Sequence, residues 1–167
     1  AARQCEFPAR FQLVAAMNPC PCGWAGDPSG RCLCSEEMIR RYRGRISGPL
    51  LERIDLHVEV PRLPPSLLRT DAAPGESSTV VRTRVEQARA RQAARAGTTN
   101  ARMDQSQTNT HCQLAPRDAA MLERAVDSLQ LSARSLHRIL RVARTIADLD
   151  GSDAIASAHL GEAIGYR

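Results

Sequence analysis

Between Ser132 and Asp150 the apolar residues Leu136, Ile139, Leu140, Ala143, Ile146 and Ala147 recur at helical spacing and fall on one face. A helix with such a stripe is stable only when other elements cover it. Aromatic residues are 3% of the sequence and apolar residues 43%. The cover must therefore be built from Leu, Ile, Val and Ala, a composition that favours packed helices. Arg134, Arg138 and Arg141 fall on the opposite face of the same helix, with Arg144 near its edge. The ordinary reading of these arginines is a solvated basic side. Arg134 differs, because it lies in the first turn, where a planar guanidinium can reach across a cleft to an anion.

Further helices are expected around this one. One runs from about Thr79 to Ala96 and ends at Gly97; one starts at Pro116 and runs to about Ser128; a short one begins at Ser157. Thr98 to Gln113 is rich in Thr, Asn, Gln and Ser and reads as a mobile surface loop. Residues 79–167 thus form a bundle of about four helices, and the polar stretch 66–78 is a connector.

Residues 1–65 have a different pattern. Phe11 to Met17 is a nearly continuous apolar run ended by Asn18-Pro19, which predicts a buried strand with a polar residue at its carboxyl tip. In open α/β sheets ligands lie beyond that end, so Asn18 is a candidate site residue. Ser35 should cap a helix that has Glu36 and Glu37 in its first turn and ends near Gly44. Gly48-Pro49 opens another helical turn, Leu50 to Arg53. Ile54 to Val60 alternates apolar and polar residues, the pattern of a half-buried strand stopped by Pro61, Pro64 and Pro65. Arg53, between that turn and that strand and flanked by Glu52 and Asp55, reads either as a salt-bridged structural arginine or as a functional one.

No apolar run is long enough to span a bilayer, and Ala1 to Gln12 lacks the apolar segment of a signal peptide. The chain starts without Met, and we read it as a piece of a cytoplasmic protein. In that compartment six cysteines are thiols or metal ligands rather than a disulfide framework. Cys20-Pro21-Cys22 and Cys32-Leu33-Cys34 are two C-x-C pairs joined by a loop rich in Gly, Asp and Pro. Two such knuckles can surround a tetrahedral zinc ion, and a site with four thiolates has no open position, so its role is structural. Free thiols or a reversible disulfide are the alternatives. Cys5 and Cys112 stand alone.

All 23 basic residues are arginine, and the net charge is +5. A phosphate-binding loop of the G-x-x-x-x-G-K-[ST] kind needs a lysine, so the chain cannot itself be a complete P-loop hydrolase. The stretch 82–102 carries six arginines against Glu86. It could meet nucleic-acid phosphates, but no aromatic residues are interleaved for base stacking.

Three long segments then carry a resemblance. They are Phe7 to Gly23 (FPARFQLVAAMNPCPCG), Tyr42 to Pro61 (YRGRISGPLLERIDLHVEVP) and Leu131 to Leu149 (LSARSLHRILRVARTIADL). Together, and in this order, they resemble the ComM/YifB group of magnesium-chelatase-like AAA+ ATPases. The resemblance implies a mainly α chain: the edge of an AAA+ α/β core (sensor-1 strand, Cys-rich loop, short strand) in residues 1–65, then a helical lid in 79–167. It implies that Asn18 is the sensor-1 residue, that Arg53 is an arginine finger presented to a neighbouring subunit, and that Arg134 is the sensor-2 arginine. It further implies ATP and Mg²⁺ as cofactors of the parent protein, a hexameric ring, and DNA as partner, in branch migration during natural transformation. Without Walker A and Walker B segments this chain should hydrolyse nothing alone. Two other readings stand beside it: a zinc-stabilised helical module that binds nucleic acid, and the insertion subunit of a metal chelatase, which the Cys loop argues against.

Overall fold

Four short polar side chains decide where helices begin. Ser35 Oγ accepts from the Met38 N–H at 3.3 Å, Ser77 Oγ from Val80 at 3.4 Å, Asp104 Oδ1 from Gln107 at 2.8 Å and Ser132 Oγ from Ser135 at 3.3 Å. Each satisfies an amide that the first helical turn leaves without a partner. The structure is a computed structural model, and it describes Cys5, residues 11–64 and residues 75–167. Its helices are α1 (Glu36–Arg43), α2 (Gly48–Leu51), α3 (Ser78–Ala96), a 3₁₀ turn (Asn100–Arg102), α4 (Gln105–His111), α5 (Pro116–Ser128), α6 (Ala133–Leu149) and α7 (Ser157–Gly165). The chain divides into two units, Ala1–Leu51 and Glu52–Arg167. Most of the N-terminal stretch 1–12 and residues 66–74 of the expected connector lie outside the described residues.

The chain is mainly helical, the outcome its composition favours. In the second unit α6 packs against α7, α3 and α4. The stripe read from the sequence is the core: Ile139, Leu140, Ala143 and Ala147 are buried, and Leu136 and Ile146 pack at its margin. Leu122, Met103, Cys112, Ile155, Leu160 and Ala163 close over it. Alanines at 143, 147 and 163 hold the helices close, and Leu160 fills the space between them with no exposed surface.

Three expectations are corrected. The first concerns strands: no strand forms among the described residues, and neither 11–17 nor 54–60 is in a sheet. A strand exists through pairing with another strand, and these segments find none. Phe11 and Val14 are 76% and 84% exposed, and Val60 is 86% exposed. The second concerns the expected mobile loop 98–113, which is ordered structure. Asp104 and Gln107 form a reciprocal capping box at the start of α4, and Asn100, Met103, Thr108 and Cys112 are buried.

The third concerns Arg138, Arg141 and Arg144 of α6, which are partly or wholly buried while Arg134 stays exposed. Arg144 is 2% exposed; it donates to the Asp153 and Ser152 carbonyls at 2.7 and 2.5 Å and pairs with Asp148 at 3.2 Å. Arg95 of α3 grips both Asp148 oxygens at 2.7 Å, and Asn100 Nδ2 donates to the same carboxylate at 2.8 Å. Burial opposes ionisation of Asp148, but the hydrogen bonds from Arg95 and Asn100 and the Arg144 charge outweigh it and hold its pKa below the usual range. Arg141 donates to the Met103 carbonyl at 3.1 Å. A guanidinium with five donors serves here as an internal brace, finding carbonyls that helix ends and turns leave open.

Candidate functional site

The N-terminal unit is built around sulfur. Gly23 adopts φ +80°, a left-handed conformation that closes the first knuckle, and its N–H donates to the Cys20 carbonyl at 3.0 Å. Later turns pair Asp27 N–H with the Trp24 carbonyl at 3.1 Å and Ser29 N–H with Asp27 Oδ1 at 2.8 Å, and Arg31 lies 4.9 Å over the Trp24 ring. These turns return the chain so that Cys20, Cys22, Cys32 and Cys34 converge, their sulfurs all within 4.8 Å of one another. Cys20 to Cys22 is 3.3 Å, Cys20 to Cys32 3.8 Å and Cys22 to Cys32 3.7 Å. Sulfurs around a tetrahedral zinc with Zn–S of about 2.3 Å lie about 3.8 Å apart, so the spacing fits a metal ion.

The electrostatics of the cluster point the same way. Burial raises the Cys20 thiol, but hydrogen bonds from Cys22 and from the Ala25 and Trp24 amides bring it down to about 6. Cys34 behaves oppositely. The Cys22 amide favours its thiolate, yet hydrogen bonding to Cys22, burial and the charge on Cys20 push it up to about 11. Cys22 is lowered, chiefly by the Trp24 amide, whereas Cys32 is raised against the pull of the Cys34 amide, with burial and the Cys20 charge among the causes. A divalent cation among the four sulfurs would favour all four thiolates together. Cys20 is fully buried, its sulfur also accepting from the Ala25 N–H at 3.3 Å.

Asn18 adjoins this cluster. Its amide lies over Gly23, where a Cβ would stand 3.7 Å from Asn18 Nδ2. Arg43, at the end of α1, donates from Nε to the Pro19 carbonyl at 3.1 Å and ties the helix to the first knuckle.

Arg53 and Arg134 belong to the other unit. Both are exposed. Arg53 lies just beyond α2, and of the two carboxylates that flank it in sequence, Asp55 faces Arg138 Nε at 3.5 Å. The backbone around Arg53 is held on both sides. Arg138 Nη1 donates to the Glu52 carbonyl at 2.7 Å, and Arg167 Nη1 donates to the Ile54 carbonyl at 2.9 Å. Arg167 Nη2 also donates to Ser135 Oγ at 2.6 Å, and Ser135 directly follows Arg134. Burial lowers the pKa of Arg138; Asp55 opposes this, and the charges of Arg141, Arg167 and Arg134 add to it. These braces were not legible in the sequence. Arg138 had the spacing of a solvated position, and Arg167 belongs to no periodic pattern.

Comparison with known proteins follows the same division. The family model described as "Magnesium chelatase, subunit ChlI" matches residues 1–68, and "Magnesium chelatase, subunit ChlI C-terminal" matches residues 75–167. The competence protein ComM of Haemophilus influenzae is 48% identical over 162 residues, which is 97% of this chain and 31% of that relative. YifB of Escherichia coli is 48% identical over 161 residues, covering 96% of this chain and 31% of the relative. A Mycobacterium tuberculosis relative is 42% identical over 167 residues and is covered to 32%. The chain thus spans about a third of the length of the curated relatives it matches. With both halves matched in order and the helical half matched throughout, the chain belongs to the magnesium chelatase ChlI family, among its ComM- and YifB-like members.

Proposed function

We propose that this chain is the nucleotide-sensing portion of an AAA+ ATPase subunit that works as a hexameric ring on DNA. The observation that carries the reading is the pairing of two exposed arginines on one scaffold. Arg53 projects from a segment clamped at both flanking carbonyls, and Arg134 stands on the first turn of the helix that supplies one clamp. Exposed guanidiniums on stiff backbone suit the stabilisation of charge on a transferring phosphoryl group. In this reading Arg53 is the finger that reaches nucleotide in the neighbouring subunit, and Arg134 is the sensor-2 arginine that touches nucleotide in its own. Asn18 orients the attacking water as sensor 1.

ATP and Mg²⁺ are the cofactors of the parent protein. Cys20, Cys22, Cys32 and Cys34 hold a structural zinc ion, which fixes the loop after Asn18 and performs no chemistry. Residues 1–65 are the end of the ATPase core, 66–78 the connector and 79–167 the lid, in a cytoplasmic protein. Among the described residues no helix is long and apolar enough to cross a membrane. One relative is named a competence protein, which supports a role in processing incoming DNA, with branch migration as the motor's work.

The reading as a free-standing nucleic-acid module is weaker. Three arginines of α3 are engaged with acids: Arg84 with Glu76, Arg91 with Asp153 and Arg95 with Asp148.

The test uses full-length parent rings. Arg53→Ala should lower ATPase turnover by about a thousandfold or more. Mixing Arg53→Ala subunits with subunits lacking the phosphate-loop lysine should restore part of the rate, because each supplies what its neighbour lacks. A wild-type rate in rings made only of Arg53→Ala subunits rules the finger out.

A further inference from the structure

We infer that Arg138 and Arg167 are positioning residues that staple the Arg53 segment to the start of α6, so that Arg53 and Arg134 move as one body. The inference rests on the finger and sensor-2 reading given above and adds the mechanical link between them.

The geometry is specific. Arg167 bridges the residue after Arg53 to the residue after Arg134: one nitrogen donates to the Ile54 carbonyl at 2.9 Å, the other to Ser135 Oγ at 2.6 Å. Arg138, one helical turn beyond Arg134, donates to the carbonyl of the residue before Arg53 at 2.7 Å and faces Asp55 at 3.5 Å. A backbone bond from the His57 N–H to the Tyr166 carbonyl at 2.9 Å completes the attachment. Glu52, Ile54, Asp55 and His57 are thus each held by α6 or by the residues after α7, while the side chain of Arg53 is left exposed. The Arg138 side chain is only 15% exposed, and its Nε is buried without a hydrogen-bond partner.

Burying a guanidinium beside three other arginines opposes its charge. A hydrophobic residue would fill the space without that penalty. The guanidinium's chemical distinction is that it holds a loop by a backbone carbonyl, independent of the loop's side chains, and so leaves Arg53 free to project. A lid that turns when Arg134 engages nucleotide in its own subunit then carries the finger of the same subunit with it. One site is coupled to the next through two arginines that touch neither nucleotide.

The experiment compares Arg138→Gln, Arg167→Gln and Arg53→Ala in full-length rings. The staple predicts that each glutamine variant lowers kcat by about ten- to a hundredfold with little change in KM for ATP. It also predicts that adding either to Arg53→Ala costs nothing further, because a misplaced finger and a missing finger have the same effect. Hydrogen exchange at residues 52–57 should rise in both glutamine variants. Arg167→Lys, which keeps the charge and one of the two bonds, stands in where a glutamine variant fails to assemble, and it should fall between wild type and Arg167→Gln. If Arg53→Ala is slow while the staple variants turn over like wild type, or if their losses multiply with that of Arg53→Ala, the staple is overturned and the finger stands. If Arg53→Ala itself turns over like wild type, the finger reading falls and the staple with it.

Discussion

The two units of this chain are stabilised by different means. In the second, α6 and α7 close over Leu160, Ile139, Ala143 and Met103, and the buried Arg144 braces the turn after α6. In the first, Cys20 is the one buried apolar side chain among the described residues, and α1 buries none of its own. Phe11, Leu13, Val14, Met38, Leu50 and Leu51 remain exposed there. One unit rests on packing, the other on turns and four converging sulfurs. A small unit without a core needs a staple, and the cysteine cluster is the available one.

The largest expected effect tests that contrast directly. Structural zinc sites contribute an apparent binding free energy of about 10–16 kcal/mol to the fold they hold. Cys20→Ser therefore tests the proposed zinc site: it should abolish metal binding and melt residues 19–34, leaving the α6–α7 pair intact. Metal content by elemental analysis, with limited proteolysis of both units, checks this. Loss of zinc with an unchanged cleavage pattern would mean that the turns suffice without the metal.

The reverse experiment strikes the helical unit. Asp148→Ala leaves Arg95 and Arg144 facing each other without their shared carboxylate, and losing one partner of a buried ion pair costs about 3–5 kcal/mol. The unfolding free energy of the helices should fall by about that amount, with metal content by elemental analysis unchanged from wild type. The wild-type carboxylate also sets a pH dependence. Its pKa in the folded chain lies below the usual value. Its stabilisation is therefore fully present above about pH 4, the unfolded carboxylate value, and is lost as pH falls through the lower folded value. The Asp148→Ala variant should lose that part of the acid sensitivity. Leu160→Ala comes next, at about 2–5 kcal/mol, again confined to the helices.

How much of this was legible in the sequence follows the same division. The α6 stripe, the caps at Ser35 and Ser132, the start of α5 at Pro116 and the end of α3 at Gly97 all carry local signals, and each formed where those signals lie. The convergence of the cysteines was readable because two short knuckles joined by glycines have few other ways to fold. The expected strands do not form among the described residues, because alternation describes what a strand would bury, not whether a partner strand is present. The braces were invisible for another reason. Arg138 reaches the Glu52 carbonyl across 86 positions, and Arg167 reaches Ile54 across 113. A carbonyl has no residue identity to read, so nothing in the pattern distinguishes a bracing arginine from a solvated one.

The smallest expected effect concerns the segment that composition misjudged. Thr, Asn, Gln and Ser in 98–113 suggested a loop because these side chains compete with backbone hydrogen bonds. Here they complete helices instead. Asp104 Oδ1 takes the Gln107 N–H at 2.8 Å, Gln107 Oε1 takes the Asp104 N–H at 3.3 Å, and Thr108 Oγ1 donates to the Asp104 carbonyl at 2.7 Å. That cap orients α4 so that Thr108 and Cys112 enter the core, where burial raises the Cys112 thiol to about 11. Asp104→Ala removes one cap and should cost about 1 kcal/mol. The consequence is local: α4 frays, and Cys112 becomes reachable by a thiol reagent while the four clustered cysteines keep their metal. Mass spectrometry after brief alkylation separates the two kinds of cysteine. If Cys112 stays protected in Asp104→Ala, the packing of Met103 and Cys112 against α6 holds α4 without the cap, and the segment owes its order to the core alone.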